Sequence, residues 1–386
     1  MRLFQSLFVV IIAALAAHLP ATARDDGKSG FQTVAPHAII MDYETGLVLF
    51  EKNARVAIAP ASMTKVMTAD MVFERIRDGS LSLDTEFTVS ENAWRQGGAK
   101  SGSSTMFLDP ESTVRVEDLL RGVIIQSGND ACIVLAEGIA GSEAAFARMM
   151  TDRARQMGLS SAVFRNSTGW PHPEHRVNLY DLALLAKHTI GEYPEFYPLY
   201  AEESFTWNGI LQANRNPLLG RFSGADGLKT GYTKVSGYGL AASAGRDGTR
   251  RIVVINGLES TTQRRSESLR LMQAAFDRFI VQDIYGAGQF VSSLPVFMGK
   301  SDQVGLVTDA QVRIGMRRED SRSVTLRVKA DGPVAAPVAR GDHVADLVID
   351  IPGRPTETFK LLAAEDVDRK SAFGRAMTAL VDIIRG

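Results

Sequence analysis

Three short segments constrain this chain more than anything else in it: Ser62-Met63-Thr64-Lys65, Ser127-Gly128-Asn129 and Lys229-Thr230-Gly231. They are far apart in sequence and make chemical sense together only if the fold gathers them in one cleft. On a helix, positions i and i+3 share a face, so Lys65 is brought beside Ser62. A serine hydroxyl is a weak nucleophile until a neighbouring base takes its proton. Lysine is a base only when neutral, which requires a fall of several units from about 10.4. Burial and a second nearby cation both push that way, and Lys229 is the natural second cation. The order of the three segments is that of serine acyl-transferases that use lysine as base. Each has a plainer reading when taken alone: a helix cap, a solvated lysine, a turn, a strand end.

The neighbouring residues extend the pattern. Ser62 at a helix start has an unpaired backbone N–H, half of an oxyanion hole, and the backbone N–H of Tyr232 is the other half. Ser127 suits relay of a proton to a leaving group, and Asn129 offers an amide to orient substrate or Lys65. Thr230 and Lys229 are suited to a substrate carboxylate. Gly231 lets a ligand backbone approach the strand edge, so substrate binds partly by strand addition.

Composition removes other function classes. Forty-three basic residues almost cancel 44 acidic ones, which leaves no global field for nucleic acid. The one cysteine, Cys132, sits in the apolar run Ala131 to Leu135 and reads as a buried structural thiol. His172 and His175 with Glu174 form only a loop H-x-x-H, which reads as solvated surface, so no metal site is expected. Neither a Walker loop nor a Rossmann fingerprint is present, so no cofactor is expected. Arg2, the apolar stretch Leu7 to Leu19 and Ala21-Thr22-Ala23 read as a signal peptide over 1–23, which predicts an exported protein.

Strands are predicted at Ala38 to Asp42, Leu47 to Glu51, Leu228 to Tyr232, Gly239 to Ala244 and Arg251 to Leu258. Helices are predicted from Ser62 and at Val116 to Ile125, Ala131 to Ile139, Ser142 to Met157, Leu179 to His188 and Ser266 to Ile280. This is an α+β domain over 31–281, an antiparallel sheet covered by a helical cluster. Gly158 to Asn178 is a loop long enough to be functional or mobile. From 282 to 364 short strands and turns predict a small all-β domain, and 365–386 predicts an amphipathic helix. On that helix, Val367 to Gly386, basic residues flank one apolar face, which suits either an anionic bilayer surface or docking on the β domain.

With these residues in place, the chain resembles the D-alanyl-D-alanine carboxypeptidases, the low-molecular-mass penicillin-binding proteins of serine peptidase family S11. The resemblance runs over Arg55, Pro60 to Lys65, Ser127 to Asn129 and Asp226 to Gly231, and more weakly over the β domain and terminal helix. It implies a β-lactamase/penicillin-binding-protein-like fold and removal of the terminal D-alanine from peptidoglycan pentapeptide stems, with β-lactams as covalent inhibitors. It implies Ser62 as nucleophile, Lys65 as base, Ser127 and Asn129 in the proton network, and Lys229, Thr230 and Arg215 on the substrate carboxylate. It also implies a periplasmic location, peripheral on the outer face of the cytoplasmic membrane. Some members carry His where this chain has Tyr232; since the contact is through the backbone, the change should tune substrate fit. Two alternatives stand beside it. A β-lactamase would use Glu174 for deacylation, although Glu174 to Asn178 departs from the usual E-x-x-L-N spacing. A catalytically silent wall-binding protein would have no use for an intact nucleophile and base.

Overall fold

The computed structural model describes residues 31–373. Gln32 to Phe279 form one compact unit, and the residues from Ile280 onward belong to a second. The predicted signal peptide lies outside the described residues.

The first unit is built on a five-stranded antiparallel sheet in the order Val48–Lys52, His37–Asp42, Thr249–Leu258, Gly237–Arg246, Ala225–Thr233. Ile252 to Ile255 form an unbroken buried run, the pattern of a strand covered on both faces. Helices Leu179–Glu192 and Thr261–Asp277 both pack on this strand. On one face Ile39, Met41, Ile252 and Val254 join a core with helices Lys65–Arg77, Asn129–Ala140 and Glu143–Gln156. The neighbouring strand is rich in small residues, Ala241-Ala242-Ser243-Ala244, all buried, which lets the covering elements approach closely. Arg251, buried in the sheet, is neutralised by Asp42 and also donates to the carbonyl of Ala275 at 3.1 Å.

The sequence reading did not include helix Glu91–Gly97, the small antiparallel pair Glu86–Thr88 with Thr113–Arg115, or the hairpin Ser204–Trp207 with Ile210–Ala213. The last predicted helix of the unit is shorter than expected. It stops at Asp277, and Phe279–Tyr285 is a strand that pairs with Val312–Arg317.

The second unit is all-β, with a six-stranded sheet over Leu306, Leu347, Ile349 and Leu361. The predicted terminal helix does not begin at 365. Val367 exchanges two backbone hydrogen bonds with Val338 at 2.8 and 3.0 Å, and Arg369 bridges to Gly299. The reason is local: Val367 is the one apolar residue between Glu365 and Lys370, and it is buried with Val296, Val304 and Val338. Helix is assigned only from Ala372, and 374–386 lie outside the described residues. No helix among the described residues is long and apolar enough to cross a membrane.

Candidate active site

Ser62 lies in a short 3-10 turn, Ala61–Thr64, which runs straight into the α-helix Lys65–Arg77. A 3-10 turn has three residues per turn, so i and i+3 eclipse rather than merely share a face. The Lys65 ammonium accordingly donates to Ser62 Oγ at 3.0 Å. Two further acceptors hold it, Asn129 Oδ1 and the carbonyl oxygen of Thr168, each at 2.7 Å. Lys65 is 1% exposed, whereas Ser62 is only partly covered.

Two glycines let other segments close on this turn. A Cβ on Gly231 would lie 2.9 Å from the Pro60 carbonyl and 3.2 Å from the Ala61 Cβ. The protein's own packing therefore requires that glycine, a tighter reason than the ligand approach expected from sequence. Gly169 has φ +84°, and a Cβ there would fall 1.9 Å from the Ala61 carbonyl. It carries the loop of Thr168 over the turn of Ser62.

The Ser-Gly-Asn segment sits at a break between helices. The π-helical turn Gly122–Gln126 ends at Ser127, which takes the left-handed conformation (φ 62°), and a new helix starts at Asn129. Asn129 thereby faces Lys65, and its Nδ2 donates to Ser103 Oγ at 2.9 Å, which fixes the orientation of the amide. Ser127 is buried, but among the described residues no hydrogen bond joins its hydroxyl to Ser62 or Lys65, so the resting state shows Lys65 bonded to Asn129 and Thr168 instead.

The loop of Ser103 to Leu108 is a part of the site that sequence reasoning missed. Asp130, next to Asn129, accepts from Thr105 Oγ1 at 2.6 Å and from the backbone N–H of Met106 and Leu108 at 2.8 and 3.1 Å. The loop then presents Ser103 to Asn129 and Ser104 to Arg215, whose Nη1 donates to Ser104 Oγ at 2.6 Å. A buried acid directly after Ser-Gly-Asn was the available signal. Arg264 was also missed: it is buried in helix Thr261–Asp277, and its Nε has no hydrogen-bond partner among the described residues.

The electrostatics are those of a site for a base and an anion. Burial brings Lys65 down to about 8, with Arg215 adding to the fall and Cys132, Glu143 and Asp130 opposing it. Lys229 is held well below the ordinary lysine value, by burial first and then by the positive charges of Lys65, Arg215 and Arg264. Burial is thus the larger cause for both lysines, ahead of the cation–cation effect expected from sequence. Lys229 and Thr230 are both buried on strand Ala225–Thr233, and Lys229 has no acidic partner among the described residues. Tyr232 is 49% exposed and stacks on Tyr238, its cross-strand neighbour, with ring centroids 4.1 Å apart.

The remaining candidates fall outside the chemistry. Glu174 is exposed and paired with Arg165 at 3.1 Å. His175 is buried: its Nδ1 accepts from the Arg165 N–H, so Nε2 carries the proton toward Thr64 Oγ1 at 2.9 Å, and burial holds it near 4. Among the described residues no group of acids, histidines and cysteines is placed to hold a metal. Cys132 is buried and its thiol is pushed up to about 12 by burial.

Two families match the chain. The family described as D-alanyl-D-alanine carboxypeptidase matches residues 22–260, and that described as penicillin-binding protein 5, C-terminal domain, matches 279–369. The chain belongs to the D-alanyl-D-alanine carboxypeptidase family. It is 37% identical over 341 residues to the D-alanyl-D-alanine carboxypeptidase DacC of Escherichia coli, covering 87% of this chain and 85% of that one. The crystal structure of the D-alanyl-D-alanine carboxypeptidase DacD from Francisella tularensis superposes with a TM-score of 0.80 at 29% identity, covering 92% of this chain and 98% of that one. Penicillin-binding protein 5 from Haemophilus influenzae gives 0.70 at 33% identity, covering 89% and 100%. The fold expected from sequence, a penicillin-binding domain followed by an all-β domain, is thus the fold of this family.

Proposed function

We propose that this protein is a serine D-Ala-D-Ala carboxypeptidase acting on peptidoglycan pentapeptide stems through an acyl-enzyme at Ser62. The observation that carries this is the 3.0 Å contact between Ser62 Oγ and a buried Lys65 brought down to about 8. In its neutral form Lys65 takes the Ser62 proton as Oγ attacks the carbonyl carbon of the penultimate D-alanine. The oxyanion is met by the backbone N–H groups of Ser62, in the leading turn of its helix, and Tyr232. Collapse breaks the C–N bond, and the departing D-alanine nitrogen takes a proton that Ser127 is suited to relay. Water then hydrolyses the ester and restores Ser62. The terminal carboxylate is bound by Lys229, Thr230 and the exposed Arg215, with Arg264 adding positive charge; two buried cations without an acidic partner among the described residues, Lys229 and Arg264, make such a site selective for an anion.

A β-lactam acylates the same serine, since its strained amide stands in for the D-Ala-D-Ala bond. The β-lactamase alternative gains no support, because Glu174 is held at the surface by Arg165. The decisive experiment is release of free D-alanine from a pentapeptide, with mass spectrometry of the penicillin-treated protein. Wild type is expected to release D-alanine and to carry an adduct on Ser62, and Ser62→Ala to do neither. Release by Ser62→Ala, or an adduct elsewhere, refutes the mechanism. The protein is placed outside the cytoplasm, peripheral on the outer face of the cytoplasmic membrane, on the strength of its leader and the basic apolar C-terminus. Co-sedimentation with anionic vesicles, lost when the chain is cut after Phe373, tests the second of these.

A further inference from the structure

Glu143 opens the helix Glu143–Gln156, directly after its cap Ser142. An acid in the first turn of a helix is ordinary, since it faces the positive end of the dipole. What sets this one apart is where its carboxylate goes. Glu143 Oε1 accepts two hydrogen bonds from one residue of another segment, the Ser167 backbone N–H at 3.0 Å and the Ser167 hydroxyl at 2.6 Å. Ser167 is fully buried and Glu143 half-buried, and Glu143 has no ion-pair partner among the described residues. Nothing in the reaction as derived above uses it.

Ser167 immediately precedes the residue whose carbonyl holds the base. Its own carbonyl accepts from Thr68 Oγ1 at 2.6 Å, and the Thr168 carbonyl accepts from Lys65 at 2.7 Å. Lys65 and Thr68 are three residues apart on helix Lys65–Arg77 and share a face. Two successive carbonyls therefore dock the loop on the face that carries the base, and Glu143 fastens the same loop from a second helix. Within the loop, Asn166 Oδ1 accepts from the Gly169 N–H at 2.7 Å. That N–H and the Thr168 carbonyl belong to one planar peptide unit, so the bond fixes its tilt. Asn166 sets how the peptide is turned, and Glu143 sets where it stands.

Of the other charged groups near Lys65, Arg215 is bonded to Ser104, Asp130 to the loop of Thr105 to Leu108, and Lys229 lies on strand Ala225–Thr233. The Cys132 thiol keeps its proton up to about 12. Glu143 is the carboxylate that reaches the base through the Thr168 loop, and its negative charge favours the charged form of Lys65.

We propose that Glu143 is a positioning residue for acylation: through Ser167 it holds the Thr168 carbonyl where that carbonyl aims Lys65 at Ser62. This role rests on the carboxypeptidase reading, with Lys65 as base, and adds a residue to it.

The test is the second-order rate constant for acylation of Ser62 by a fluorescent penicillin, from pH 6 to 10, in the full chain carrying Glu143→Ala or Glu143→Gln. Urea unfolding of each variant reports stability separately. Glu143→Ala leaves the Ser167 N–H without its acceptor and frees the loop, and should acylate at least about tenfold more slowly at pH 9. Glu143→Gln keeps an oxygen toward Ser167, because a backbone N–H can only donate, and loses the charge. It should match wild type within about twofold at pH 9, while its midpoint falls and makes it about twofold faster at pH 7. An acid that only stabilised its helix would lower the urea midpoint and leave the rate constant and its pH profile unmoved. Wild-type acylation by Glu143→Ala at pH 9 overturns the positioning role, as does a Glu143→Gln as slow as Glu143→Ala with an unshifted midpoint; both leave the carboxypeptidase standing. A wild-type protein that forms no adduct on Ser62 overturns the carboxypeptidase reading itself, and this role with it.

Discussion

Raising the pH should speed acylation of this protein, and the structure sets the size of the effect. Lys65 is the base only when neutral, and its amine titrates at about 8. Roughly one molecule in eleven then has a neutral Lys65 at pH 7, against about ten in eleven at pH 9. An ordinary buffer-exposed lysine would offer about three neutral molecules in ten thousand at pH 7. The second-order rate constant for acylation by a fluorescent penicillin, measured by stopped flow from pH 6 to 10, should rise about tenfold between 7 and 9 with its midpoint near 8. Lys65→Arg keeps its charge throughout this range and should acylate about a thousandfold more slowly at pH 9. The same residue affects stability with a definite sign. Its folded value lies below its unfolded value of about 10.5, so the unfolded chain holds more protons between about 8 and 10.5, and stability from this residue rises with pH across that window. The full change is about 3 kcal/mol, the cost of burying the ammonium, and below about pH 8 that cost is present in full. A rate flat from pH 6 to 10, or a midpoint near 10.5, would refute the assignment of Lys65 as base.

Three other outcomes follow from packing. Gly169→Ala places a methyl on the Ala61 carbonyl in a left-handed residue, and should cost at least about 1–2 kcal/mol in denaturant unfolding and slow acylation of Ser62; an unchanged acylation rate would show that the Thr168 loop does not set the nucleophile turn. Asp130→Asn replaces a carboxylate that accepts from Thr105, Met106 and Leu108 by an amide with one acceptor, and should lower stability by about 3 kcal/mol; a change under about 0.5 kcal/mol would argue against the loop anchor. Cys132, buried and raised to about 12, should resist a disulfide reagent at pH 8 in the native protein and react in urea; rapid native labelling would contradict its burial.

What the sequence made legible was whatever has a period or a fixed spacing. The run Ile252 to Ile255, the turn at Asp247-Gly248 and the i,i+3 relation of Ser62 and Lys65 each carry their geometry in a few adjacent residues. Arg264 carries none: on helix Thr261–Asp277 it looks like any solvated arginine, and only its position under the Tyr238 ring, 5.6 Å from the centroid, makes it part of the cationic cluster. Ser103 and Ser104 likewise follow no periodic pattern and matter only because Asp130 folds their loop back. The hairpin Ser204–Ala213 was missed although its signal was there: Asn208-Gly209 stands between its strands, and in the structure both residues have positive φ, at 47° and 72°. At the end of the second unit, helical spacing of apolar residues further on hid a short extended stretch that one buried valine holds in place.

The three oxygens around Lys65 have a consequence for the order of events. A charged ammonium has three hydrogens, and Ser62, Asn129 and Thr168 take all of them. A neutral amine keeps two hydrogens and gains a lone pair, so one neighbour must turn from receiving a hydrogen to giving one. The Thr168 oxygen has none to give, and the Asn129 amide is locked by Ser103 with its oxygen inward. Only the serine hydroxyl can rotate. Loss of one proton from the lysine therefore reverses a single bond, and the atom it re-aims is the one that must attack.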